Sequence, residues 1–272
     1  MEGRSRTRSR LRRSSDIMDC GERAMESPER PEKFCVIVFS GLILSEEIKM
    51  STYAIGDIHG CAKSLRHLVE WVSLGAEDTL VTLGDYIDRG SNSRGVIKYL
   101  RDISEQLNLV ALKGNHELIM EGAMHSNKIL NWWKNVGGLE TLKSYGAKNA
   151  NLLPRSHRKF VYDSLPFYET DTHIFVHGGV NPDEKIEEHS VDDLCWLRVY
   201  TAEAHFSGKI VVCGHTPQRN GLPLNLGHTI CIDTWACNKG WLTCLDVETG
   251  RYWQVKEKGK KGKIKRREGS LW

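Results

Sequence analysis

The sequence predicts an α/β protein whose first half is a parallel sheet carrying a mixed oxygen–nitrogen metal site at one edge. Three observations lead there. The apolar, β-branched runs Tyr53-Ala54-Ile55, Leu80-Val81-Thr82-Leu83 and Leu109-Val110-Ala111-Leu112 each lead into a short glycine-headed polar motif, the pattern of buried parallel strands ending at a ligand crevice. The intervals between them have helical spacing. After Phe167 the pattern changes to short strands separated by turn residues.

Taken in order, Tyr53–Ile55 opens the sheet. Residues 61–73 place Leu65, Leu68, Val69 and Val72 on one helical face, and Gly75 supplies a terminating glycine. Leu80–Leu83 is the second strand. Residues 95–103 form a second helix with Val96, Ile97, Leu100 and Ile103 inward, and Leu109–Leu112 completes β-α-β-α-β. Such a unit requires parallel pairing and right-handed crossovers. Residues 117–146 read as a helical cap, broken near Asn127 and at Gly137-Gly138, with Trp132-Trp133 packing the cap on the body and direct substrate contact as the alternative. A short helix over 155–165 ends at Pro166. Strands at 167–169, 173–176, 209–213, 229–232, 241–246 and 252–255 then predict a second, largely antiparallel sheet facing the first.

With 272 residues, 40% of them hydrophobic, the chain can bury a sizeable core in one large domain, here 50–255. Residues 1–49 begin with an Arg/Ser-rich run and continue as a charged stretch, so they read as a disordered extension or a gene-start artefact, with Met50 opening the folded chain. The apolar segment Phe34–Leu44 within them is too short to span a membrane. Residues 256–272 form a basic tail: Lys256–Glu268 holds about eight basic and two acidic side chains, which predicts a solvated, mobile end. Neither end makes nucleic acid a primary partner. The eight cysteines show no Cys-x-x-Cys pair, so buried free thiols in a reducing, cytoplasmic compartment are expected. Cys61 opens a helix, where a lowered thiol pKa competes with a plain structural role.

The motifs themselves are Gly56-Asp57-Ile58-His59-Gly60, Gly84-Asp85-Tyr86-Ile87-Asp88-Arg89-Gly90 and Gly114-Asn115-His116-Glu117, followed by His177-Gly178-Gly179 and Gly214-His215-Thr216. In this order they resemble the metallophosphoesterases, and specifically the compact bacterial-type members of the phosphoprotein phosphatase (PPP) family of serine/threonine protein phosphatases, over roughly Thr52 to Val255. The resemblance implies a calcineurin-like α/β sandwich of two mixed sheets flanked by helices, with a dimetal site at one sheet edge. By it, Asp57, His59 and Asp85 hold one divalent cation, and Asp85, Asn115, His177 and His215 hold the other. Oxygen and imidazole ligands suit manganese, with iron or zinc also accommodated. A hydroxide between the two ions attacks phosphorus. Arg89 and Arg198 clamp the phosphate oxygens, His116 protonates the leaving alkoxide, and Asp88 fixes the His116 tautomer.

The expected activity is therefore hydrolysis of phosphate monoesters, as a phosphoserine/phosphothreonine protein phosphatase acting on phosphorylated proteins or small phosphoesters. Dinucleoside polyphosphate (diadenosine tetraphosphate) hydrolases share the scaffold and are the alternative. They tend to lack the Asp before the Arg and to end the third motif in Asp, whereas this chain keeps Asp88 and Glu117. A catalytically inactive binding scaffold would require a lost ligand, and none is lost. Ile232-Asp233-Thr234-Trp235-Ala236 replaces the Ser-Ala-Pro-Asn-Tyr loop of eukaryotic members, so their inhibitors and regulatory subunits are not expected to bind. Of the other candidates, Glu117 reads as structural at a helix start. Tyr86 and Asn181 are within reach of substrate. His173 and His228 read as structural, and His67, His125, His157, His189 and His205 as surface residues.

Overall fold

The computed structural model describes residues 34–39, 42–47, 50–258 and 263–272. The chain divides into two units, Met1–Ile48 and Lys49–Trp272. In the first, strands β1 (Phe34–Phe39) and β2 (Leu42–Glu47) pair antiparallel. These strands fall within the segment read as a disordered extension or a gene-start artefact; the remainder of 1–49 lies outside the described residues.

The second unit opens with β3 (Thr52–Ile55), α1 (Ala62–Val72), β4 (Thr79–Thr82), α2 (Ser93–Ile103) and β5 (Asn108–Ala111), and β3, β4 and β5 pair in parallel as expected. Helix α1 ends at Ser73, which itself takes the left-handed cap position at φ 56°, rather than at Gly75. The cap region follows as α3 (Asn115–Ala123), α4 (Asn127–Trp133), a π-helical turn at Lys134–Gly138, and α5 (Leu139–Tyr145), and α6 is Arg155–Tyr162. The break at Gly137-Gly138 is physical: Gly137 sits at φ 126°, and an added Cβ at Gly138 would strike the Trp133 ring at 2.4 Å.

The second half supplies β6 (Phe167–Glu169), β7 (His173–Val176), α7 (Val191–Trp196), β8 (Ile210–Cys213), β9 (Leu224–Asn225), β10 (Thr229–Cys231), β11 (Leu242–Asp246), β12 (Arg251–Lys258) and β13 (Lys263–Ser270). These strands do not all form one sheet. β11 pairs antiparallel with β3, so the first sheet has the order β13-β12-β11-β3-β4-β5 and the second β6-β7-β8-β10-β9. The second sheet is also less antiparallel than expected, because β7, β8 and β10 pair in parallel. Both sheets are mixed. Ala54, Val81, Leu83, Phe175, Val212, Ile230 and Leu245 fill the space between them, and α1 and α2 cover the other face of the first sheet through Leu65, Leu68, Val96 and Leu100.

The basic end was read as a solvated tail, and this requires correction. β13 pairs with β12 over its whole length, from Arg251↔Ser270 to Lys258↔Lys263. Charge composition concealed the partners of these cations. Arg267 lies 4.4 Å over the Trp241 ring, Lys256 4.3 Å from the same ring, and Arg266 5.4 Å over Trp71. Cation–π contact and aliphatic stems let Lys and Arg cover apolar surface. A basic outer strand also resists pairing with a second chain. A chain ending at Lys258 should uncover Trp241 and leave β12 as the edge, lowering the Tm by ~5 °C or more and promoting aggregation. A melting curve superimposable on that of the full chain would contradict the packing role of β13.

Candidate metal centre

Six buried polar residues come to one edge of the sandwich because each follows the end of a strand. Asp57 and His59 leave β3, Asp85 leaves β4, Asn115 opens α3 after β5, His177 leaves β7 and His215 leaves β8; none is more than 7% exposed. The leading glycines are needed for two reasons. Gly84 takes φ 98°, which a side chain would resist. Gly114 is at φ −98°, and there the constraint is space: an added Cβ would meet Asp85 Oδ1 at 2.3 Å.

Hydrogen bonds fix the outer atoms of these side chains and leave the inner ones converging. His59 donates from Nδ1 to the Ile87 carbonyl at 2.9 Å, and His177 from Nδ1 to the Leu83 carbonyl at 2.8 Å. Each Nε2 then faces Asp85, at 3.3 Å for His59 and 3.4 Å for His177. Asn115 Oδ1 lies 3.1 Å from His177 Nε2. Asp57 Oδ1 accepts from the His215 amide, and Asp85 Oδ1 from the His116 amide, both at 3.1 Å. His215 Nε2 is buried with no hydrogen-bond partner. Among the described residues the donor atoms converge as two groups, Asp57-Asp85-His177 and His59-Asp85-His116, and Asp85 belongs to both.

The electrostatics suit bound cations. Burial, reinforced by Asp85, holds the Asp57 carboxyl well above the usual range, and burial pushes Asp85 up to about 8. Burial lowers the imidazoles, His177 to about 4 and His215 to about 3. Neutral imidazoles are competent ligands, and a bound divalent ion would supply the charge that returns the carboxyls to their ionised form. The orphaned His215 nitrogen, the converging carboxylates and the thiolate-free donor set therefore fit two divalent cations.

His116 and Asp88 are paired as expected, with His116 Nδ1 2.6 Å from Asp88 Oδ2. Sequence reasoning missed what holds that pair. Trp133 donates from Nε1 to Asp88 Oδ2 at 2.8 Å, and Thr141 donates to Asp88 Oδ1 at 2.7 Å. Burial pushes Asp88 up to about 7 against the pull of these donors. Successive residues of a helix point about 100° apart, so the tandem tryptophans separate: Trp133 is fully buried, while Trp132 is 46% exposed. Asp233 was also missed. It is buried, lies beside the Asp57 side chain, and is shifted well upward by burial and then by the Asp57 charge. Its signal was the one used for the other strand ends, an apolar run into an Asp, here Ile230-Cys231-Ile232-Asp233.

Other expectations are corrected or filled in by the structure. Tyr86 is fully buried and donates to the Leu112 carbonyl, so it belongs to the core and does not reach substrate. His157 and His205 are buried, bonded to Tyr145 and to the Glu184 carbonyl, and are not surface residues. Burial raises the Cys61 thiol, which removes the reactive reading. Glu117 accepts from the Asp85, Tyr86 and Gly114 amides, a structural role at the start of α3. Arg89 and Arg198 are exposed at the rim; Arg89 Nη1 reaches His59 Nε2 at 2.6 Å, and Arg198 Nη1 donates to the Tyr200 hydroxyl at 3.0 Å. Cys61, Cys195, Cys213, Cys231, Cys237 and Cys244 are free, and among the described residues no helix is long and apolar enough to cross a membrane.

The family profile of calcineurin-like phosphoesterases matches residues 50–240, and the chain belongs to that family. It is 42% identical over 74 residues to a symmetrical bis(5'-nucleosyl)-tetraphosphatase of Proteus mirabilis, covering 27% of this chain and 26% of that one. It is 31% identical over 141 residues to the enzyme of the same description from Pseudomonas fluorescens, covering 49% and 43%. The chain thus spans less than half the length of either relative. A solved structure described as a candidate diadenosine tetraphosphatase shares the fold, with TM-score 0.56, 18% identity and coverage of 83% of this chain and 96% of that one. So does a cold-active protein-tyrosine phosphatase from Shewanella sp., with TM-score 0.56, 17% identity and coverage of 80% of each chain. The α/β fold, the edge cluster and the calcineurin-like phosphoesterase family stand; the protein-phosphatase subtype inferred from the motifs does not follow from these relatives.

Replacing Trp133 by Phe keeps the buried ring and removes the indole donor to Asp88. Turnover of a phosphothreonine peptide, whose basic alkoxide depends on the His116 proton, should fall about tenfold, the scale of one hydrogen bond to a charged group, while bound metal measured by mass spectrometry stays at the wild-type level. Unchanged kcat would show that the indole does not support the Asp88–His116 pair.

Proposed function

We propose that the chain hydrolyses dinucleoside polyphosphates, cutting them symmetrically at a dimetal centre. The observation that carries this reading is the likeness to curated symmetrical tetraphosphatases, at 42% identity over 74 residues and 31% over 141. Asp57, His59, Asp85, Asn115, His177 and His215 would hold the two ions. When bound, the ions would neutralise phosphoryl charge and supply a nucleophile at neutral pH. Arg89, exposed beside His59, and Arg198, close enough to lower the His215 imidazole, would take up the remaining charge on the phosphate oxygens. His116 keeps Nδ1 on Asp88 and turns Nε2 to the site, so it can give a proton to a departing oxygen.

A phosphoserine/phosphothreonine phosphatase is the second reading, and the Asp88–His116 pair favours it. An alkoxide is a basic leaving group and needs that proton, whereas the terminal phosphate of a nucleoside diphosphate leaves readily without it. The same residue therefore separates the two chemistries. His116→Asn should lower kcat for a phosphothreonine peptide by ~10²–10⁴ and for diadenosine tetraphosphate by less than ~10-fold. Steady-state assays of the manganese-reconstituted protein test both points. A kcat/KM at least about a hundredfold higher on the dinucleotide, equivalent to about 2.7 kcal/mol, is the expected result. Faster turnover of the peptide would restore the protein-phosphatase reading.

A further inference from the structure

Beside the metal edge the chain displays two large aromatic rings that the core does not use. Trp132 of α4 is 46% exposed and Trp196, the last residue of α7, is 40% exposed, although their chain neighbours Trp133 and Cys195 are fully buried. The two indoles come from separate helices and lie nearly parallel, 15° apart with centroids at 6.3 Å. This stack adjoins the metal ligands. The Trp196 ring meets the His215 ring edge-on at 6.0 Å and 82°, and the same imidazole donates to the Trp196 backbone carbonyl. Arg198 follows two residues later with its guanidinium on Tyr200.

We propose that Trp132 and Trp196 seat one nucleobase of the substrate on their open face, while the attached phosphates run past Arg198 onto the metal edge. This deepens the dinucleotide reading above and rests on it. Flat, half-exposed indoles in parallel suit a planar aromatic ring, since every base presents a π-face and stacking needs no particular hydrogen-bond pattern. The position matters as much as the shape. The stack touches a ligand imidazole, so a ring placed on it leaves the ribose and first phosphate as the spacer to the scissile phosphate. Cationic groups on the metal side and aromatic faces outside divide the surface as a nucleotide divides into phosphate and base.

Direct binding tests this without relying on turnover. AMP and ribose 5-phosphate carry the same phosphate and sugar and differ in the base. The manganese-loaded protein should bind AMP about tenfold more tightly, the scale of one base on an aromatic platform, and AMP should quench tryptophan fluorescence. Trp132→Ala should reduce that preference to less than about twofold, and Trp132→Phe should retain most of it. Equal affinity for the two ligands in the wild type, or a preference that survives Trp132→Ala, overturns the proposal. So does a loss confined to phosphopeptide binding, which would assign the rings to a peptide. Base preference with no dinucleotide turnover would overturn the proposed activity and leave the platform standing.

Discussion

Asp85 is the point at which the chain is tied together. Its backbone carbonyl accepts from the Ile58 and His59 amides at 3.1 and 2.7 Å, which binds the first motif to the second. Its amide donates to Glu117 Oε2 at 2.7 Å, and its carboxylate accepts from the His116 amide, which binds the second motif to the third. The same carboxylate lies between the His59 and His177 imidazoles. Without cations this is an unfavourable place for an anion, and burial moves the group up to about 8. The fold therefore buries a carboxylate at a position that bound positive charge would favour in its ionised form, and it is the shared member of both convergent donor groups.

Backbone strain is concentrated at the same edge. Of the seven non-glycine residues with positive φ among the described residues, His59, Asp85, Asp88, Arg89 and His215 belong to the site, and Trp235 lies two residues beyond Asp233. Such conformations cost roughly 1–3 kcal/mol each and persist where surrounding contacts over-determine them. Here the contacts are those of two sheets packed face to face. Ile232 presses so closely on Gly56 that an added Cβ would sit 2.4 Å from its carbonyl oxygen. The apolar sandwich is thus what holds the strained polar edge in place.

Much of this was legible in the sequence, and the part that was not has identifiable causes. The β3, β4 and β5 runs were readable because buried parallel strands need continuous apolar residues, and the gathering of the candidate ligands at one edge because each follows such a run. Sheet membership of β11 and β12 was not readable, since alternation shows which residues face inward but not against which neighbour a strand pairs. β13 was hidden by its charge: Arg266 and Arg267 gain their partners only from Trp71 and Trp241, far away in the chain. Trp133 and Thr141 were hidden because their contacts with Asp88 span 45 and 53 residues of chain. Asp233 had a visible signal, the strand-end Asp, but lay in a segment read only as a departure from the eukaryotic loop.

The most direct test is a count of bound ions. Metal-stripped protein reloaded with manganese and measured by mass spectrometry should hold two ions per chain. Asp85→Asn, which keeps the shape and removes the shared charge, should hold one or none. A variant that still binds two ions with unchanged affinity would show that the two cation sites are built independently of Asp85, contrary to the geometry described above.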